Sequence, residues 1–269
     1  METIVFVGAG SMAEAMIGGI VEQRAMDPLN VFVMNKSDDA RLVYLKTKYG
    51  VSIVCSNKEA LRKADLIILA TKPKDIHQVM ADILPYLSDH TAVLSVIAGI
   101  SIQTFENGLG ARMIARSMPN TSATIGKSAS AVAWNNTIDV NMKMNILKML
   151  ESIGIVKVVE EDDMHVVTAL SGSGPAYVYY LAEALEEVAV EQGLSQDIAR
   201  SLIIQTLEGA AAMMKKTGEE PAELRKHVTS PGGTTEAGVT ALENRFFKEI
   251  IAECIQKAEA RSRELGVMY

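Results

Sequence analysis

Short apolar runs alternate with amphipathic stretches through the first half of the chain, a pattern that predicts strand–helix–strand units. Runs at 3–7, 31–34, 52–54, 66–69, 92–96 and 111–115 are mostly apolar, as strands buried on both faces of a parallel sheet are. Helices are expected between them at 11–23, 39–48, 58–63 and 73–84. Pro73 suits a first helical turn, where its missing N–H costs nothing. A strand at 128–134 and a helix at 139–153 complete this half.

Beyond about Glu160 the strand signals stop. Segments 175–192 and 196–216 read as long, Ala-rich helices, apolar on more than one face. Gly193 ends the first, and Ser195 can cap the second with Asp197 in its first turn. Pro221 starts another helix, and 246–265 makes a final one. The expected fold class is α/β followed by all-α, with domains at 1–160 and 161–269. Small residues such as Ala182, Ala189, Gly209 and Ala210 permit close helix–helix approach. They fit tight packing within one subunit or an intersubunit helical core.

Composition narrows the classes. The 269 residues are 48% hydrophobic and 22% charged, which is globular rather than disordered. A net charge of −7 argues against nucleic acid or an anionic membrane as partner. Cys55 and Cys254 lie far apart, giving neither metal-ligand spacing nor a disulfide framework. The opening Met1-Glu2-Thr3-Ile4 has no basic leader region, and no apolar run reaches the ~18–20 residues that span a bilayer. A cytoplasmic protein without a metal is expected.

Chemistry enters with Gly8-Ala9-Gly10-Ser11-Met12-Ala13, between the first strand and first helix. Gly8 permits the tight turn, Gly10 lets backbone approach a pyrophosphate, and Ala13 stands where a small residue packs helix on strand. Amides at that helix start face phosphates. This predicts a Rossmann-like dinucleotide-binding domain. At the second strand's end, where an acid would take the ribose of NAD, stand Asn35, Lys36 and Ser37, a group suited to a 2′-phosphate. NADPH is therefore the expected cofactor, with NADH a poorer alternative. Further cofactor candidates are Asn57 and the strand-end loops with Ala70, Thr71, Lys72, Pro73, Ala98, Gly99 and Asn120.

Two polar, Gly-rich interruptions punctuate the helical half, at 171–177 and 228–238. Consecutive Gly amides there can form an anion-binding nest beside hydroxyls. The run Thr229-Ser230-Pro231-Gly232-Gly233-Thr234-Thr235 resembles the signature of pyrroline-5-carboxylate reductases. Arg116-Ser117-Met118-Pro119-Asn120-Thr121 and Ala169-Leu170-Ser171-Gly172-Ser173-Gly174-Pro175-Ala176-Tyr177 resemble the same family, in the same order. The resemblance implies NAD(P)H-dependent reduction of 1-pyrroline-5-carboxylate to L-proline, the last step of proline biosynthesis. It also implies an all-helical domain that dimerises by interlocking helices, with decamers built from dimers known in the family. It places the Thr235 hydroxyl near the ring nitrogen and Ser230 beside the substrate carboxylate. Gly232, Gly233 and Thr234 can give amides to that carboxylate, and Lys72 is a second candidate for it.

A β-hydroxyacid dehydrogenase also pairs a dinucleotide domain with helices, but needs a helix-borne Lys as acid/base. The run after Gly174 is Ala176-Tyr177-Val178-Tyr179-Tyr180-Leu181, without one. A non-enzymatic NADP(H) sensor would leave the second polar cluster without purpose.

Overall fold

A computed structural model describes residues 1–54 and 58–268. Packing divides the chain into two units. Met1–Pro175 and the residues from Lys257 onward form one, and Ala176–Gln256 the other.

The first unit is built on β1 (Ile4–Val7), β2 (Val31–Met34), β3 (Ser52–Ile53), β4 (Leu66–Leu69), β5 (Ala92–Ser95), β6 (Ile114–Met118), β7 (Ser128–Trp134) and β8 (Gly154–Val158). They form one eight-stranded sheet in the order β3-β2-β1-β4-β5-β6-β7-β8. Neighbours are parallel except β6 with β7. β1, β4 and β5 are buried along their whole length because helices cover both faces. Ile4 and Phe6 meet α1 (Ser11–Glu22), α2 (Asp39–Tyr49) and α6 (Val140–Glu151) on one side. Val5 and Val7 share the other core with α3 (Glu59–Arg62), α4 (Ile76–Ile83) and α5 (Ile102–Leu109). Pro73 opens a short 3-10 turn that runs into α4.

Three elements of the sheet unit depart from the sequence expectation. The strand expected at 111–115 forms at Ile114–Met118 instead. It carries polar residues that are nevertheless buried: Arg116, 2% exposed, meets Glu161, and Ser117 Oγ donates to the Ala131 carbonyl at 2.7 Å. Polar partners within the fold replace the apolar run. α5 and β8 had no clear sequence signal; β8 lies at the sheet's end and is largely exposed.

The helical part begins with α7 (Met164–Val167), then a π-helical turn at Thr168–Gly172, then α8 (Gly174–Glu191). The interruption expected at 171–177 is thus a widened turn inside a helical path, not a loop. α9 (Gln196–Thr217), α10 (Pro221–His227), α11 (Thr234–Asn244) and α12 (Phe247–Met268) follow. Ser195 stands at the N-cap of α9, though its side chain makes no capping bond. α7 and its turn pack with the sheet, Met164 joining the core, as does the last part of α12. The packing division therefore falls at other residues than the composition shift near 160.

In the second unit α8, α10 and α11 bury no residue, and α9 buries only Ala199. Tyr180 is 73% exposed and Leu202 58%. Within one chain the helices leave their apolar faces uncovered, so packing inside one subunit does not account for the pattern.

Candidate functional site

The loop after β1 shows two glycines kept for different reasons. Gly8 has φ +110°, and a Cβ there would lie 2.4 Å from the Ala70 carbonyl oxygen. Fold geometry alone requires it. Gly10 has φ −72°, open to any residue, and a Cβ there would meet nothing within 4 Å. Neither backbone nor packing demands glycine at that position. What its missing side chain leaves is space over the helix start.

The first amides of α1 have no intrahelical acceptor, and Gly10 at the cap offers no side-chain acceptor in its place. Ser11 and Met12 lie in this turn, and Ala13 is fully buried against the sheet. Ala9 is buried as well. Such a terminus, with positive dipole and free N–H groups, favours an anion.

Other strand ends flank it. The Gly8 N–H donates to the Met34 carbonyl at 2.9 Å, which sets the turn after β2 beside the glycine loop. There Asn35 Oδ1 accepts from the Ser37 N–H at 3.2 Å, folding the turn and leaving Lys36 and Ser37 exposed. Asp38 caps α2, its carboxylate accepting from the Arg41 N–H at 2.9 Å. On the opposite side, the Ala70 N–H donates to the Val7 carbonyl at 2.9 Å. Thr71 Oγ1 follows and is buried; among the described residues it is the only such side-chain atom without a hydrogen-bond partner. An orphaned hydroxyl beside an open glycine cradle fits a ligand with acceptor oxygens, as a dinucleotide is. Lys72 is exposed at the cap of the Pro73 turn.

Ala98 and Gly99 lie after β5. Gly99 has φ +84° and packs against Leu265 and Gly266 of α12. Asn120, after β6, is engaged at both ends of its amide: Oδ1 accepts from the Ser122 N–H and Nδ2 donates to the Ser171 carbonyl. The cofactor candidates thus gather at the carboxyl ends of β1, β2, β4, β5 and β6, with the strand order reversing between β1 and β4. Asn57 lies outside the described residues.

The second cluster belongs to the other unit. Gly232 has φ +72°, and its N–H donates to the Glu236 carboxylate at 2.7 Å. The Gly233 N–H donates to the Ser230 carbonyl at 3.0 Å. Both glycine amides therefore shape the turn. The free donors are the first amides of α11, at Thr234, Thr235 and Glu236.

Sequence reasoning missed a cluster of charged and phenolic groups around Glu14. Its carboxylate accepts from Arg41, from Lys48 Nζ at 2.9 Å, and from the hydroxyls of Tyr49 at 3.0 Å and Tyr44 at 3.1 Å. Burial alone would raise this carboxyl, but those donors outweigh it and hold it at about 2. No sequence spacing links 14 to 41. His165 is half-buried, its Nδ1 2.9 Å from Ser262 Oγ, while His227 is exposed beside Glu219.

Residues 161–265 match the family model described as pyrroline-5-carboxylate reductase dimerisation. Residues 3–99 match the model described as NADP oxidoreductase coenzyme F420-dependent. Pyrroline-5-carboxylate reductase 2 of Bacillus subtilis (strain 168) is 44% identical, covering 100% of this chain and 97% of its own. The pyrroline-5-carboxylate reductase of Glycine max is 36% identical, covering 98% and 97%. Among solved structures, a pyrroline-5-carboxylate reductase from Coxiella burnetii is 35% identical at a TM-score of 0.91, covering 98% of both chains. The Plasmodium falciparum pyrroline carboxylate reductase with NADP bound is 31% identical at 0.89, again covering 98% of both.

Proposed function

The chain belongs to the pyrroline-5-carboxylate reductase family, an oxidoreductase family, and we propose how its residues share the NADPH-dependent reduction of 1-pyrroline-5-carboxylate to L-proline. The open space over Gly10 carries the reading of the first site, because a glycine without backbone or packing cause marks where a ligand approaches. Gly8, Ala9, Gly10, Ser11 and Met12 hold the pyrophosphate, and Asn35, Lys36 and Ser37 take the ribose phosphate. NADH lacks that phosphate and is the poorer donor. Thr71 gives its orphaned hydroxyl to the cofactor, and Ala70, Pro73, Ala98 and Gly99 line it.

Bound NADPH supplies the hydride to the imine carbon. The chain's own part is alignment, since an imine reduction needs close placement more than a strong nucleophile. Thr235 directs its hydroxyl to the ring nitrogen and stabilises its changing charge. Ser230 and the amides at Thr234 and Thr235 hold the carboxylate, with Gly232 and Gly233 setting the turn. Lys72 is the alternative carboxylate partner. His227 adjoins the cluster but is exposed beside Glu219, and among the described residues no His, Cys or acid pair there stands out as a proton donor. The nitrogen takes its proton from water, or the substrate binds as iminium.

Residues 161–269 form the substrate-binding and dimerisation domain of this reading, and 1–160 the dinucleotide domain. Two facts support a homodimer: the uncovered apolar helices, and Gly209 inside α9, where glycine costs about 0.5–1 kcal/mol without a neighbour to admit. Dimers assemble further, up to a decamer, in the cytoplasm. Among the described residues no helix is long and apolar enough to cross a membrane.

The test follows NADPH oxidation by the full-length protein with 1-pyrroline-5-carboxylate, and separately a 3-hydroxyacid with NADP. Turnover of the imine to proline alone supports the reading. Oxidation of the hydroxyacid, or cofactor binding without imine turnover, overturns it.

A further inference from the structure

Arg41 lies on the first turn of α2, outside every strand-end loop, yet its guanidinium reaches the dinucleotide turn. Nε donates to the Ala9 carbonyl oxygen at 2.8 Å, and Nη2 pairs with the Glu14 carboxylate on α1. Its own backbone N–H is fixed on Asp38 at 2.9 Å, and its guanidinium lies 5.1 Å from the Tyr44 ring centre. Glu14 is in turn held by Lys48, Tyr44 and Tyr49. The carboxylate stays charged far below neutral pH, so the fork keeps its anionic partner throughout the working range.

The geometry gives this contact a consequence for the cradle. Ala9 stands between two glycines, the residues with the widest backbone freedom. A trans peptide is planar, so fixing the Ala9 carbonyl fixes the Gly10 N–H in the opposite direction. Arg41 holds that carbonyl on the α2 side. The Gly10 amide is thereby presented away from Arg41.

We propose that Arg41 is a positioning residue for the dinucleotide turn, orienting the Ala9–Gly10 peptide for the pyrophosphate, with Glu14 holding its guanidinium. The inference rests on the reading of Gly8–Gly10 as the pyrophosphate cradle. It separates Arg41 from Lys36 by what each affects. Lys36 distinguishes the two dinucleotides, whereas Arg41 serves the part they share.

Full-length Arg41→Met, Arg41→Lys and Glu14→Gln are compared with the wild type by direct titration of NADPH and of NADH, with steady-state kinetics alongside. In Arg41→Met the Kd and KM for both cofactors rise together, about 10-fold, the size of one lost charge-assisted hydrogen bond, while kcat at saturation holds. Arg41→Lys recovers part of the loss, since one ammonium cannot reproduce the fork to both acceptors. Glu14→Gln shows a smaller loss of the same kind. A rise for NADPH alone makes Arg41 a direct phosphate contact and overturns the proposal. A lowered Tm with unchanged Kd makes it merely structural and also overturns it. Should Arg41→Met fail to fold, Arg41→Lys and Glu14→Gln decide by the same readout. Gly10→Val tests the underlying reading, because the Cβ it adds meets nothing of the fold within 4 Å. If Gly10→Val binds both cofactors normally, the cradle assignment fails. If Gly10→Val loses them while Arg41→Met binds as wild type, only the positioning role fails.

Discussion

Asn120 Nδ2 donates to the carbonyl oxygen of Ser171 at 2.9 Å, tying the loop after β6 to the π-helical turn that leads into α8. A π turn shifts the helical ladder and leaves carbonyls in search of donors. Asn120 is buried, its other amide end caps the Thr121 turn, and its N–H rests on Ser128 Oγ at 3.1 Å. Gly172 admits the same approach, for a Cβ there would stand 2.7 Å from Met118 Cε. Asn120→Asp replaces the donor with a carboxylate facing a carbonyl and costs about 1–3 kcal/mol of stability. Urea unfolding at fixed protomer concentration measures it; an unchanged midpoint removes the bond from the stability account.

Lys36→Asp removes the cation at the ribose position and offers a carboxylate to the NADH ribose. The NADPH/NADH ratio of kcat/KM falls roughly 10- to 100-fold, the worth of one charge-assisted contact. An unchanged ratio shows that the turn at 35–37 does not meet the phosphate.

Thr235→Ala lowers kcat and kcat/KM by about 10²–10³, as removal of a positioned hydrogen bond at a reacting centre does. Thr235→Ser keeps the oxygen and stays well above that. NADPH affinity, measured by titration, holds in both. Equal behaviour of Ala and Ser transfers the test to Ser230 and Lys72.

His165 gives stability a pH dependence. Burial pushes its imidazole below the usual histidine range, and the charges of Arg116 and Arg263 push it further, against Glu259 and Glu161. The folded state therefore keeps it neutral where the unfolded chain already binds a proton. Stability falls as pH drops below about 6.5 and is unaffected by this group above it. His165→Gln, unable to titrate, gives a flatter stability profile between about pH 7 and 5. Parallel profiles for the two proteins dismiss the linkage.

Leu202 tests the dimer. It is 58% exposed on α9, so Leu202→Glu leaves a lone subunit undisturbed and puts a charge into a dimer interface. Sedimentation shows the wild type as a dimer or a larger assembly of dimers at micromolar concentration and the variant as a smaller species. An active, folded wild-type monomer at that concentration refutes the interface.

The sequence by itself determined what is local. β1 and β4 declare themselves as apolar runs because burial on both faces leaves no polar position to obscure them. The glycine loop is legible for a similar reason: positive φ at Gly8 and the small residue at Ala13 are demands met residue by residue. Tertiary structure decided the rest, wherever a distant partner overrides local preference. Arg116 and Ser117 sit in a buried strand only because Glu161 and the Ala131 carbonyl satisfy them. Ser171 and Gly172 look like helix breakers, yet continue a helix because Asn120 takes the freed carbonyl and Met118 fills the space a side chain would need. The hold of Arg41 on Ala9, braced by Glu14, joins the loop after β1, α1 and α2. No period or spacing encodes it, because the distance that matters exists only once α1 and α2 have packed on the same face of the sheet.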